Sequence, residues 1–211
     1  LFYNDPTVGG ELTVTLPIVL GHECAGIVTA VGDSVRHIEP GDKVALEPGV
    51  PCGKCNFCRS GRYNLCPDVI MMAAPPFKTG ALSRYVKHPA AYTFKLPENV
   101  STLEGALIEP LAIGLHAAER ANVSLGQSVL ILGAGCIGLM TLLACKARGA
   151  GNIIVADLFD NRLEMATKLG ATTVINSTHT DLSKEVRALT GGNMTDHVFE
   201  TAGSPHTTKL I

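Results

Sequence analysis

From Gln127 onward, strand-like and helix-like runs alternate, and this alternation constrains the fold more than any other feature of the sequence. The runs "SVLILG", "NIIVAD", "TTVINS" and "DHVFETAG" have the short, apolar texture of buried strands. Between them lie helix-like runs, two of which end at Gly149 and Gly170. Because strands separated by helices are joined by right-handed crossovers, this half of the chain is predicted to be an α/β domain with a parallel sheet.

A glycine-rich turn joins the first strand of this alternation to its first helix, with Gly133, Gly135 and Gly138 spaced as G-x-G-x-x-G. Asp157 follows Gly138 by 19 residues and ends the next strand. The pattern predicts dinucleotide binding: Gly133 permits the tight turn, Gly135 the approach of the pyrophosphate, and Gly138 close helix–strand packing. Asp157 is expected to accept hydrogen bonds from the ribose hydroxyls, which favours NAD over NADP. The alternative is that Asp157 caps the next helix.

The bulk composition limits the classes of partner. The chain has 211 residues, enough for two modest domains, and a net charge of −2 with no long basic or acidic run. These features argue against nucleic acid or an anionic membrane as the main partner. The odd count of seven cysteines, together with a start that lacks the pattern of a signal peptide, favours a reducing, cytoplasmic setting.

The first hundred residues have the texture of strands and turns. The runs "CAGIVTAVG", "DKVALEP" and "LSRYVKHPAAYTFKLP" are short and punctuated by Gly and Pro. After them, "STLEGALIEPLAIGLHAAERA" has helical character, and Ser101 and Glu104 are spaced as a capping box. Pro110 is expected to interrupt or restart this helix.

Four of the seven cysteines lie within fifteen residues: Cys52, Cys55, Cys58 and Cys66, with the spacing C-x2-C-x2-C-x7-C. Disulfides are disfavoured because cysteines two residues apart are crowded for bridging and the setting is reducing. A ferredoxin-type iron–sulfur run needs three residues, not seven, between its third and fourth cysteines. Four thiolates suit a closed tetrahedral zinc, so the spacing favours a structural metal that cannot bind substrate.

This cysteine spacing, with "GHECAGIVTAVGDSV" and "GDKV" upstream of it, resembles the zinc-containing medium-chain alcohol and polyol dehydrogenases. The resemblance covers essentially the whole chain. It implies a β-rich, GroES-like catalytic domain over residues 1–112, followed by a dinucleotide-binding Rossmann domain, a doubly wound parallel sheet, over residues 113–211. Both domains are expected to be incomplete, with truncation at both ends of the chain.

Taken alone, the pair His22 and Glu23 would more often be solvated than functional. The resemblance implies instead that His22 is a ligand of a catalytic zinc and that Glu23 is a ligand too, as in the sorbitol dehydrogenase branch. The segment "GALIEPLAIGLHA" resembles the polyol-dehydrogenase segment whose Glu sits at the zinc, here Glu109; the alternative is a helix-entry Glu before Pro110. The family's Cys ligand is expected just before Leu1, so this chain is expected to bind the catalytic zinc weakly.

The same resemblance assigns further contacts. Tyr3 takes the place of a substrate-contacting Tyr, whereas Phe2 stands where the family pattern has His, which argues against a proton relay through that position. Ile137 and Arg162 match cofactor contacts of the family. For Arg162, a solvated position on the helix surface is the alternative.

The resemblance implies an NAD-dependent zinc enzyme that oxidises a polyol of the sorbitol or xylitol type to the ketose. Its implied partner is the small-molecule polyol, and its implied assembly is a homo-oligomer, a tetramer in the family. Two alternatives stay open. One is a related zinc alcohol or threonine dehydrogenase, and the other is a superfamily member that binds the dinucleotide without turnover.

Overall fold

The computed structural model describes residues 17–74 and 80–209. The chain divides into two compact units, Leu1–Glu109 and Pro110–Ile211. The domain limits 1–112 and 113–211 stay a prediction. The substrate contact expected of Tyr3 and the departure at Phe2 fall outside the described residues.

The first unit is built from short antiparallel strands, as its Gly- and Pro-punctuated sequence predicts. Its main sheet has the order β1-β2-β5, and a separate two-stranded sheet pairs β3 with β4. Helix α1 and a 3₁₀ turn over Tyr63–Leu65 lie between β3 and β4 in the chain. The elements are β1 Ala25–Ile27, β2 Lys43–Leu46, β3 Gly49–Val50, α1 Asn56–Arg59, β4 Ile70–Met71 and β5 Thr93–Lys95.

Two consecutive helices follow, α2 (Thr102–Ala106) and α3 (Ile108–Arg120). The predicted capping box is confirmed: the Ser101 hydroxyl accepts from the Glu104 N–H at 3.2 Å, and the Glu104 carboxylate accepts from the Ser101 N–H at 2.8 Å. Pro110 lies in the first turn of α3, where a missing N–H costs no helical hydrogen bond, so the helix restarts just before it.

The second unit contains a four-stranded parallel sheet with the order β8-β7-β6-β9. Every strand and helix predicted from the alternation is present, and α5 ends at Gly170, whose φ of 110° is in the left-handed region that favours glycine. The elements are β6 Ser128–Leu132, α4 Cys136–Ala147, β7 Asn152–Asp157, α5 Asp160–Leu169, β8 Thr173–Asn176, α6 Leu182–Leu189, β9 His197–Glu200 and α7 Pro205–Thr208.

Both faces of this sheet are buried, as the continuous apolar runs of its strands predict. Because side chains alternate along a strand, Val129 and Ile131 of β6 join one apolar cluster, together with residues of α4 and α5. Leu130 and Leu132 join a second cluster on the opposite face, with residues of α6. Helices on both faces make the sheet doubly wound, so the predicted fold class is confirmed.

In the part of the chain that the structure describes, no helix combines the length and apolar character that crossing a bilayer requires.

Candidate functional site

The four cysteines of the C-x2-C-x2-C-x7-C pattern meet in space, and none of them is bridged. All four Sγ atoms lie within 4.8 Å of one another. The Sγ of Cys58 is 3.4 Å from that of Cys55 and 4.0 Å from that of Cys52. A tetrahedral zinc with Zn–S bonds of about 2.3 Å requires S···S separations of about 3.8 Å. The thiols therefore fit a closed zinc site.

Local backbone structure brings these thiols together. Pairing of β3 with β4 closes the base of the loop that carries them. Within the loop, Cys55 caps the N-terminus of α1 and its Sγ accepts from the N–H of Cys58 at 3.5 Å. The Sγ of Cys66 accepts from the N–H of Cys52 at 3.3 Å. The loop thus aims backbone N–H groups at sulfur, an arrangement that favours thiolates.

The electrostatics of the loop also suit a cation. Hydrogen bonds from the N–H groups of Lys54 and Cys55 lower the pKa of Cys52 to about 7. Desolvation and then the neighbouring Cys55 thiol raise the pKa of Cys58 to about 12. Four crowded sulfurs cannot all ionise without a compensating positive charge, and a bound divalent metal deprotonates coordinating thiols.

A second group of possible metal ligands joins residues that are far apart in the sequence. One donor atom each from His22, Glu23 and Glu109 lies within 4.8 Å of the others, although 87 residues separate His22 from Glu109. His22 and Glu109 are partly buried, whereas Glu23 is exposed. A cluster of one imidazole and two carboxylates fits zinc, and three protein ligands are the number found in catalytic zinc sites that keep an open position.

The backbone beside His22 is held by a neighbouring segment. The N–H of Ala81 donates to the carbonyl of Gly21 at 2.7 Å, and the N–H of Leu82 donates to the carbonyl of Leu20 at 2.9 Å. Gly80 makes this pairing possible, because a Cβ there would lie 2.0 Å from the Val19 carbonyl oxygen. Nothing in the sequence pattern singles out this segment.

Glu109 is the second residue of α3, which begins shortly after α2. Helix α2 packs against β1 and β2. A Cβ on Gly105 would lie 2.5 Å from Leu96 and 2.9 Å from Ala25, so the helix can approach the sheet this closely only with glycine. Desolvation raises the pKa of Glu109, His22 opposes the rise and Glu23 adds to it. A cation at the cluster would favour the ionised carboxylate.

In the second unit, the glycine-rich turn borders a cavity of about 760 Å³. Gly133 and Gly135 line it together with Asp157 and Arg162. A Cβ on Gly135 would meet nothing within 4 Å, whereas a Cβ on Gly138 would lie 1.9 Å from the Gly133 carbonyl oxygen. The open approach at Gly135 and the tight packing at Gly138 are the properties that a dinucleotide-binding turn needs.

Asp157 ends β7 inside this cavity and is 8% exposed. Its Oδ2 accepts from the N–H of Ala134 at 2.7 Å, and its Oδ1 accepts from the N–H of Phe159 at 3.0 Å. The carboxylate thus joins the end of β7 to the glycine-rich turn.

Arg162 lies 3.8 Å from Asp157 and its guanidinium is 5.0 Å above the ring of Phe159. Its side chain is 51% exposed. Ile137, half-buried at the second position of α4, does not line this cavity. Phe159 and Thr201 do line it, and the sequence analysis did not anticipate either. The predicted ribose contact of Asp157 and the cofactor contacts of Ile137 and Arg162 stay predictions.

Two family models match the chain. The alcohol dehydrogenase GroES-like domain matches residues 3–98, and the zinc-binding dehydrogenase model matches residues 136–210. Their succession agrees with the two units of the structure, a β-rich one that carries both clusters of possible metal ligands and a parallel α/β one.

Curated relatives and solved structures agree with these matches. The chain is 55% identical over 192 residues to an uncharacterized zinc-type alcohol dehydrogenase-like protein of Escherichia coli, covering 91% of this chain and 55% of that protein. It is 48% identical over 204 residues to the sorbitol dehydrogenase of Bacillus subtilis, covering 97% and 57%.

A putative zinc-binding dehydrogenase from Sinorhizobium meliloti, solved with bound NADP, superposes with a TM-score of 0.85 at 33% identity and covers 96% of this chain and 59% of that one. The chain spans little more than half the length of the curated relatives it matches. Together with the two family models, these relatives show that the chain belongs to the zinc-containing medium-chain dehydrogenases, a family whose cofactors are zinc and a nicotinamide dinucleotide, with sorbitol dehydrogenases among its relatives.

Proposed function

We propose that this protein is an NAD-dependent, zinc-containing dehydrogenase that oxidises a polyol of the sorbitol or xylitol type to the corresponding ketose. The observation that carries the proposal is the meeting of His22, Glu23 and Glu109 within 4.8 Å. The fold brings this imidazole and these two carboxylates together although 87 residues of sequence separate His22 from Glu109. The sorbitol dehydrogenases among its relatives support a polyol as the substrate.

In the proposed site, His22, Glu23 and Glu109 hold the catalytic zinc or the water and substrate at it. Zinc at this position supplies Lewis-acid polarisation of the substrate hydroxyl, and NAD supplies the hydride acceptor. The partly buried Glu109 carboxylate would offer a hydrogen-bond acceptor to a water or substrate hydroxyl bound at the cluster. Tyr3 is the proposed substrate contact, by the family resemblance.

The second unit is proposed to bind NAD. The turn formed by Gly133, Gly135 and Gly138 would receive the pyrophosphate at the start of α4, with Gly135 leaving room for it and Gly138 packing the helix against the turn. Asp157 and Arg162 would contact the adenosine ribose, and Ile137 is proposed as a further contact. A carboxylate faces a ribose hydroxyl favourably and a ribose phosphate unfavourably, which supports NAD over NADP.

The remaining four thiols, Cys52, Cys55, Cys58 and Cys66, are proposed to bind a structural zinc that does no chemistry, since four protein ligands leave no open position. The proposed setting is the cytoplasm, because unbridged thiols persist in a reducing compartment. A homotetramer is the proposed assembly, by resemblance to the family.

The test is turnover of sorbitol, xylitol and galactitol with NAD by the zinc-loaded full-length protein and by two matched variants. Glu109→Gln keeps the size of the side chain but loses the charge, and kcat/KM should fall by roughly a hundredfold or more. Glu104→Gln makes the same change five residues earlier, in α2, within a capping box that accepts Gln as well, and should leave turnover near the wild-type value. Oxidation of simple primary alcohols but of none of the polyols, or equal turnover by Glu109→Gln, would overturn the proposal.

A further inference from the structure

The peptide group between Gly133 and Ala134 is held at both of its ends by side chains from other strands. The Thr201 hydroxyl, just after β9, lies 3.1 Å from the Gly133 carbonyl oxygen and 2.9 Å from that of Leu132. At the other end of the peptide group, the N–H of Ala134 donates to the Asp157 carboxylate at 2.7 Å. The plane of this peptide is therefore set by two side chains, one on each side of β6.

The N–H of Gly133 already donates to the Ala156 carbonyl at 2.8 Å, so the end of this residue that a side chain can support is its carbonyl. Gly133 has a φ of 103°, and because glycine adopts positive and negative φ values about equally readily, the residue itself does not favour this conformation over others. The position of its carbonyl oxygen matters for the whole turn, because a Cβ on Gly138 would lie only 1.9 Å from it. A rotation of this peptide would push the carbonyl into α4 or into the cavity that Gly133 and Gly135 line.

The Thr201 hydroxyl is not needed to join β9 to β6. The backbone N–H of Thr201 already donates to the Leu132 carbonyl at 2.9 Å, which extends the ladder of the sheet by one residue. The single proton of the hydroxyl is shared between the Leu132 carbonyl at 2.9 Å and the Gly133 carbonyl at 3.1 Å, and what it adds to the backbone bond is the contact with Gly133. Its loss should therefore affect the turn more than the sheet.

We propose that Thr201 is a positioning residue for dinucleotide binding: its hydroxyl holds the Gly133–Ala134 peptide in the orientation that leaves the turn open to the pyrophosphate. The inference rests on the proposed function of this unit in binding NAD. Thr201 acts through the turn, and no contact between its hydroxyl and the cofactor is required.

The experiment compares Thr201→Val, which replaces the hydroxyl by a methyl group at equal size, with Thr201→Ser, which keeps the hydroxyl. Thr190→Val is the matched control, because the Thr190 hydroxyl also donates to backbone carbonyls in the same unit, at 2.8 Å to Val186, and does not line the cavity. Calorimetry gives the Kd for NAD, and amide hydrogen exchange at Ala134 is followed in the protein without cofactor.

Thr201→Val should weaken NAD binding by roughly five- to thirtyfold, the effect of losing one buried hydrogen bond. It should speed exchange at Ala134 by a similar factor. At saturating NAD its kcat should stay near the wild-type value, because a group that positions the turn raises KM for NAD and leaves the chemical step alone. Thr201→Ser and Thr190→Val should match the wild type within about twofold.

Unchanged NAD affinity in Thr201→Val, or an equal loss in Thr201→Ser, would overturn the inference. If Thr201→Val does not fold, Thr201→Ala and Thr201→Ser take its place, since both lack the methyl group and only Ser keeps the hydroxyl. A wild-type protein that binds NAD but oxidises no polyol would overturn the proposed function and leave this inference to be decided by the affinities. Absence of NAD binding in the wild type would overturn both the proposed function and the role of Thr201 in NAD binding. Hydrogen exchange at Ala134 would then report only whether the Thr201 hydroxyl holds the peptide.

Discussion

Each of the two compact units of this chain is stabilised by a different kind of interaction. In the second unit, residues of both central strands, β6 and β7, are fully buried, and the largest fully buried side chains of the described residues belong to this unit, among them Ile131, Leu142 and Ile154. In the first unit, the strands have two to four residues and a loop of four thiols takes the place of a comparable core. The second unit is stabilised by apolar burial, whereas part of the first depends on a ligand that the thiols bind.

The difference also separates two ways of building a site. The thiols of the first unit lie within fifteen residues of sequence, so local turns suffice to gather them. His22 precedes β1 and Glu109 follows α2, so they come together through contacts between distant parts of the unit, among them the packing of α2 against β1 and β2. The site of the four thiols requires only that its own loop stays folded. The site that joins His22 and Glu109 requires the packing of the whole first unit.

The largest effect is expected from Cys58→Ser. Structural zinc contributes apparent binding free energies on the order of 10 kcal/mol, and removing one of four thiolates should abolish tight binding at this loop. We expect one zinc fewer per chain by elemental analysis and loss of amide protection across residues 52–66, with little change in the second unit. Cys136→Ser, a thiol change outside the loop, should keep the zinc. Equal zinc content in Cys58→Ser and wild type would contradict the view that the four thiols bind a zinc that stabilises the first unit. Iron together with sulfide in the elemental analysis would show that the loop binds an iron–sulfur cluster instead of zinc.

The converse change is Leu142→Ala in the second unit. Leu142 is fully buried in α4, and truncating a buried Leu costs about 3–5 kcal/mol through lost burial and the cavity left behind. Denaturant unfolding should show the second unit destabilised by that amount, while zinc bound by the four thiols resists a chelator as in the wild type. The control is Leu103→Ala, at a side chain that is 77% exposed, which should lower the free energy of unfolding by less than about 0.5 kcal/mol. Release of the zinc together with unfolding of the second unit would show that the two units are one cooperative block.

Sequence reasoning predicted the features whose spacing is local. The thiol spacing, the G-x-G-x-x-G turn and the capping box at Ser101 all depend on residues a few positions apart, and the structure has each of them. The alternation of apolar runs predicted the four strands β6 to β9 and the helices α4 to α6, because the central strands β6 and β7 are buried on both faces. The short helix α7 was not among the predicted elements.

The features that sequence reasoning missed depend on contacts across the fold. The Thr201 hydroxyl meets the Gly133 carbonyl across 68 residues, and no local pattern marks a Thr at the end of a strand as different from any other. Gly80 supports the backbone beside His22 only after two segments have paired. Glu109 was assigned through family resemblance and not through spacing, for the same reason.

An intermediate effect is expected from Asp157→Ser, which asks whether the proposed NAD preference comes from one carboxylate. In NADP a phosphate takes the place of the ribose hydroxyl, so Asp157 would lose hydrogen bonds and face a like charge in a partly desolvated cavity. Together these cost a few kcal/mol, roughly a hundredfold in kcat/KM. The ratio of kcat/KM for NAD to that for NADP should fall by about this factor in the variant.

Because Asp157 also accepts from the N–H of Ala134, affinity for NAD itself should weaken in the same variant. Asp160→Ser removes a nearby negative charge that lies on α5 and does not line the cavity, and it serves as the control. An unchanged ratio in Asp157→Ser would show that the carboxylate only holds the turn.

The smallest effect on stability is expected from Asp196→Asn, at an exposed position in the second unit. The Asp196 Oδ2 accepts from the N–H and from the hydroxyl of Ser128, both at 2.7 Å, and so joins the start of β6 to the residue before β9. The hydroxyl bond first, and then the backbone bond, lower the pKa of Asp196 below its ordinary value. Because the folded pKa lies below the unfolded one, the unfolded state binds more protons as the pH falls. The contribution of Asp196 to stability is therefore complete above about pH 5 and is lost as the pH falls through the lowered pKa.

Thermal unfolding of the second unit, followed from pH 7 downward in wild type and Asp196→Asn, should show a Tm difference at neutral pH that disappears at the acidic end. The difference should shrink in high salt, since an exposed carboxylate is screened. Asp33→Asn makes the same charge change in a turn of the first unit and should leave the transition of the second unit unmoved. A Tm difference between wild type and Asp196→Asn that stays constant with pH would mean that the geometry of the Ser128 contact, and not the charge of Asp196, stabilises this edge of the sheet.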